Sequence, residues 1–100
     1  MKELTAVNFD KTIREGRVTL VDFWATWCNP CQQLLKVLDQ IGSDRVFKVD
    51  IEACPEIAEQ FDIRSIPTII VFKNGEPIDM LVGNQTKSKL LSILQKYDAL

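Results

Sequence analysis

Trp24-Ala25-Thr26-Trp27-Cys28-Asn29-Pro30-Cys31 stands between two segments of different hydrophobic period. Before it, Val18-Thr19-Leu20-Val21-Asp22-Phe23-Trp24-Ala25 is a nearly unbroken apolar run, the pattern of a central strand covered on both faces. After it, Leu34, Val37, Leu38 and Ile41 recur at i, i+3, i+4 and i+7 and predict an amphipathic helix that stops at Gly42. The stretch is therefore a strand-to-helix junction that carries two thiols one helical turn apart. A short-loop disulfide can close and reopen there with little backbone movement, which suits reversible redox chemistry. Cys28 falls at the start of the helix, where unpaired backbone N–H groups and the positive end of the macrodipole favour a thiolate. It is the candidate nucleophile, and Cys31, one turn in and facing the core, is the candidate resolving thiol. Pro30 is tolerated in the first turn because its missing N–H would have had no intrahelical partner.

Other uses of a cysteine pair fit less well. A structural zinc site takes about four ligands, usually Cys with Cys or His. The chain has three Cys and no His, so no metal is expected. A loop this short also removes little chain entropy, which makes it a poor structural staple.

One hundred residues with 46% hydrophobic content suit one domain, spanning residues 1–100, with a core of its own. Twelve basic and 14 acidic side chains, net charge −2, are spread along the chain, and no basic stripe points to nucleic acid. The acidic group Asp50, Glu52, Glu56, Glu59 and Asp62 reads as a solvated helix face. Neither a secretory leader nor a run long enough to cross a membrane is seen, so a cytoplasmic location is expected. Thiols are kept reduced in that compartment, and a cysteine pair there is more often catalytic than structural.

In chain order, Leu4–Val7 is expected to form a short edge strand, and Asn8 to cap a helix that carries Phe9 and Ile13 and ends near Gly16. Val46–Ile51 follows the cysteine helix so closely that strand, helix and strand form a right-handed parallel crossover. A third helix begins near Pro55, with Ile57 and Phe61 inward. Thr68-Ile69-Ile70-Val71-Phe72, the turn Asn74-Gly75 and Ile78–Val82 predict an antiparallel hairpin, and Pro77 puts its second strand at the sheet edge. Thr86 caps a last helix with Leu90, Leu91, Ile93, Leu94 and Tyr97 on its inner face. The result is an α/β chain, βαβαβαββα, with a mixed sheet and helices on both faces.

The segments Val21–Cys31, Ser65-Ile66-Pro67-Thr68, Phe72-Lys73-Asn74-Gly75-Glu76 and Val82-Gly83, in that succession, resemble the thioredoxin family over essentially the whole chain. The resemblance implies the thioredoxin fold, a central five-stranded sheet in the order 1-3-2-4-5 with four helices. It implies a protein-disulfide reductase with no bound cofactor, its redox centre being the Cys28–Cys31 pair. The protein would be recycled by thioredoxin reductase, whose NADPH and flavin supply the electrons, and would act on disulfide-containing client proteins as a monomer.

By the same resemblance Cys28 is the attacking and Cys31 the resolving cysteine, Asp22 the buried proton acceptor and Lys48 its charged neighbour. Pro67 is a cis-proline facing the cysteines, and Trp27, Asn29, Pro30, Ile66, Gly83 and Asn84 form the rim that grips substrate. Read from its position alone, Lys48 could instead lay its stem along the sheet with the ammonium in water. Asp22 shares a strand face with Leu20 and Trp24, so desolvation is expected to raise its pKa.

Asn29, Ser65 and Asn84 replace residues that are usually glycine or otherwise small in the family, Lys36 replaces a proline, and Gly42-Ser43-Asp44-Arg45 is a short connection. Cys54, before Pro55, is a candidate regulatory thiol set against a plain packing residue. Two rivals use the same fold: a disulfide-forming oxidase or isomerase, for which no His lies between the cysteines, and a binding module without turnover.

Overall fold

The computed structural model describes residues 1–100. Its elements are β1 (Lys2–Glu3), α1 (Phe9–Ile13), β2 (Thr19–Trp24), α2 (Asn29–Ile41), β3 (Val46–Asp50), α3 (Pro55–Gln60), β4 (Thr68–Lys73), β5 (Glu76–Val82) and α4 (Lys87–Lys96). The sheet runs β1-β3-β2-β4-β5. β1, β3 and β2 are parallel, and β4 and β5 add antiparallel strands. This is the fold expected from the sequence.

Side chains alternate along β2 and supply two cores. Val21 and Phe23 pack with Phe9, Ile13, Ile57, Ile70 and Phe72 on the side of α1 and α3. Leu20 packs with Leu34, Leu38, Leu90 and Leu94 on the side of α2 and α4. A third cluster, at the C-terminal end of β2, holds Trp24, Ala25, Cys28, Cys31 and Leu35. Phe61 meets Phe72 edge-on at a centroid distance of 5.1 Å and ties α3 to the sheet.

Several boundaries differ from expectation for local reasons. β1 is Lys2–Glu3 rather than Leu4–Val7. Leu4 still donates its N–H to Lys48 O at 2.8 Å, but the chain then curls and Thr5 N–H donates to Asn8 Oδ1 at 2.8 Å. That bond uses the Asn8 side chain, so it caps no N–H of α1, and the helix closes at Ile13 rather than near Gly16. The acidic residues do not share one helix face. Asp50 Oδ1 accepts the N–H groups of Glu52 and Ala53 beyond β3, Asp62 pairs with Arg64, and only Glu56 and Glu59 ride on α3. Tyr97 lies just past α4, half-buried, with its hydroxyl donating to Asp79 Oδ2 at 2.8 Å.

Candidate active site

The junction after β2 places the two cysteines. Trp24 ends the strand, Cys28 N–H donates to Ala25 O at 3.2 Å, and α2 starts at Asn29. Cys28 is the residue that caps α2, in extended backbone, and its sulfur accepts the N–H of Cys31 at 3.2 Å. A helix N-terminus aimed at a sulfur stabilises negative charge there. Pro30 fits in this first turn, where helix N–H groups have no carbonyl partner. Cys28 and Cys31 are joined as a disulfide, with Cα atoms 5.2 Å apart. Both residues are buried, Cys28 with 6% of its surface exposed and Cys31 with none.

Around the sulfurs the surface is varied. Trp27 is 65% exposed beside the pair, and Asn29 and Pro30 are exposed on the outer turn. Ile66 packs on the cluster that contains both cysteines. The peptide bond between Ile66 and the buried Pro67 is cis. Thr68 is the β4 partner of Phe23, which sets the Ser65–Pro67 loop at the same end of the sheet as the cysteines. Gly83 N–H donates to Pro67 O at 2.8 Å and joins the two loops. Gly83 has φ +85° with open space where a Cβ would stand, so its backbone, not crowding, calls for glycine. Asn84, next along, is exposed.

Asp22 is fully buried on the face that also carries Leu20 and Trp24, and neither carboxyl oxygen has a hydrogen-bond partner. Burial pushes its pKa up to about 8, opposed by the positive charge of Lys48. Lys48 is the β3 register partner of Asp22 but does not pair with it. Its Nζ is 4.0 Å from Glu3 Oε1 and 4.8 Å from the centre of the Trp24 ring. Glu3 Oε2 in turn accepts the Trp24 indole N–H at 2.9 Å. The sequence reading overlooked Glu3, because its expected first strand began one residue later.

Cys54 is 5% exposed and packs in the core of the α1–α3 side. Burial raises its pKa, which leaves a poor thiolate. No helix is long and apolar enough to cross a membrane.

Comparison with known proteins agrees with this geometry. The thioredoxin family profile matches residues 1–96. The chain is 44% identical to a thioredoxin of Staphylococcus saprophyticus and 45% identical to one of Staphylococcus haemolyticus, over 95% of the chain and of each relative. Among solved structures it is similar to the thioredoxin of Malassezia sympodialis, with a TM-score of 0.88 at 34% identity over 99% of this chain and 91% of that one. It is also similar to Plasmodium falciparum thioredoxin, with a TM-score of 0.87 at 32% identity over 97% and 99%. With a disulfide-bonded cysteine pair at the head of its second helix, the chain belongs to the thioredoxin family of thiol–disulfide oxidoreductases.

Proposed function

We propose that the chain, acting as one domain over residues 1–100, reduces disulfides of client proteins. The Cys28 thiolate attacks one sulfur of the client disulfide, a mixed disulfide forms, and the other client sulfur leaves as a thiolate that takes up a proton. Cys31 then loses its proton and attacks the Cys28 sulfur. The second client thiol is released and the Cys28–Cys31 bond closes, so two electrons pass to the client. Asp22 accepts the Cys31 proton, and Lys48 tunes that acid through its charge. Trp27, Asn29, Pro30, Ile66, Gly83 and Asn84 form the client-facing rim, with Pro67 shaping the loop beneath it.

The observation that carries this reading is the 3.2 Å bond from the Cys31 N–H to the Cys28 sulfur at the head of α2. It supports Cys28 as the sulfur that bears charge, and the exposure of Trp27 beside it supports that side as the docking face. Thioredoxin reductase, drawing on its flavin and NADPH, recharges the pair, and the cytoplasm is the compartment where such a reductant operates. The protein works as a monomer.

Insulin disulfide reduction, with and without a bacterial thioredoxin reductase and NADPH, tests the reading. Turnover that depends on the reductase and vanishes in Cys28→Ser is expected. Absence of turnover in the parent would favour a binding module instead, and net oxidation of reduced clients would favour a disulfide-forming enzyme.

A further inference from the structure

Glu3 on β1, Lys48 on β3 and Asp22 on β2 are register partners in a row across three strands. Side chains in register on neighbouring strands share a face, so acid, ammonium and acid stand side by side there, next to Trp24. One ammonium faces two carboxyl groups and engages only one of them. Its Nζ pairs with Glu3 and lies over the Trp24 ring, while Asp22 has no partner at either oxygen. Glu3 itself is anchored at both oxygens, one toward Lys48 and the other on the Trp24 indole N–H.

We propose that Glu3 is a positioning residue for the resolving half of the reaction: it draws the Lys48 ammonium away from Asp22 and so leaves Asp22 able to hold a proton. This rests on the reading of Asp22 as proton acceptor. The groups facing Asp22 leave few other sources of control. β4 contributes Ile69 in register; on the same side of the sheet, α2 and α4 pack the apolar Leu34, Leu90 and Leu94 on Leu20 and Ile69, and the two cysteines and Leu35 cluster with Trp24. α1 and α3 lie on the opposite side of the sheet. Lys48 is the one charged group that acts on Asp22 against the effect of burial. The Glu3 and Lys48 side chains are 38% and 26% exposed, so their attraction is partly screened and the effect is a bias rather than a lock.

Glu3→Gln is the test, because an amide oxygen can still accept the Trp24 indole N–H while the charge that holds Lys48 is gone. The readouts are the carbon-13 titration of the Asp22 carboxyl in the oxidised protein and the pH profile of the resolving step by stopped flow. Freed from Glu3, the ammonium moves toward Asp22 and the carboxyl midpoint falls by about one pH unit, the low end of what a nearby opposite charge does to a carboxylate. The kinetic profile moves with it, and in the Asp22→Asn background Glu3→Gln moves nothing. A carboxyl midpoint that stays put or rises overturns the role of Glu3 while leaving Asp22 as acceptor. A midpoint that falls with an unmoved kinetic profile removes Asp22 from the resolving step, and the role of Glu3 with it. Lys48→Gln gives a second check. If Glu3→Gln lowers the midpoint just as far in that background, the effect does not run through the lysine and the assignment fails.

Discussion

At Cys28 one backbone N–H, that of Cys31, ends on the sulfur. Cys31→Ser keeps that N–H and removes only the second sulfur, so attack should survive while resolution fails. The expected outcome is a stable mixed disulfide with clients on a non-reducing gel, absent in Cys28→Ser; no adduct with Cys31→Ser would mean that Cys28 is not the attacking thiol. Cys54 should behave oppositely. It is 5% exposed with a pKa raised by burial, so in a variant with both active-site cysteines changed to Ser it should resist alkylation in the native state. Rapid native labelling would return Cys54 to the regulatory role. The two kinds of thiol separate clearly in the sequence only for the pair, whose spacing is itself a signal. A lone Cys before Pro55 carries none, and the core cluster it joins draws members such as Leu4, Phe9 and Ile57 from different parts of the chain.

Elements were legible where a period had room to repeat. The thirteen residues of α2 show a helical period, the six of β2 are marked instead by an apolar run, and both occur where the pattern puts them. β1 has two residues, too short for any period, and its position is set by pairing with β3 rather than by its own sequence. Punctuation served well at two places. Asn74 and Gly75 both have positive φ, 52° and 83°, as a type I′ turn requires, and Gly75 N–H donates to Ile13 O at 2.8 Å. A Cβ on Gly75 would stand 2.9 Å from Arg14 Nη1 as well as in the left-handed region. Gly75→Ala should therefore destabilise by about 1–2 kcal/mol, read as a lower denaturant midpoint with an unchanged slope. At α4 the Thr86 hydroxyl accepts Lys89 N–H at 3.1 Å. Thr86→Ala should cost about 1 kcal/mol, and a stability equal to the parent would show that solvent caps the helix as well.

For the whole molecule, the strand order brings residues distant in sequence into one row, and this is the part of the site that local pattern could not reveal. Asp22 could be read as buried because it interrupts an apolar run, whereas Lys48 could be read as its neighbour only through the resemblance to the thioredoxin family, since the β2–β3 register is not written in either strand. Glu3 could not, since the β1–β3 register appears nowhere in the sequence. Burying Asp22 without a hydrogen-bond partner also sets how the stability of the entire fold depends on pH. Its folded-state pKa is raised from 3.8 to about 8, so the folded protein holds the proton more tightly than the unfolded chain. This favours the fold fully below the unfolded value, and the contribution is lost as pH rises, completely once pH passes the folded value. Above about pH 8 the fold therefore carries a buried carboxylate at a cost on the order of a few kcal/mol. Asp22→Asn removes the titration but leaves a polar amide of the same shape. The melting temperature of the oxidised Asp22→Asn protein relative to the parent should thus rise between roughly pH 4 and pH 8 and level off beyond, while the resolving step slows. Thermal melts across that range, paired with stopped-flow reduction of a client, separate two roles. If the difference between variant and parent shrinks as pH rises, the folded-state pKa of Asp22 is not raised, and the side chain is held as a carboxylate by Lys48.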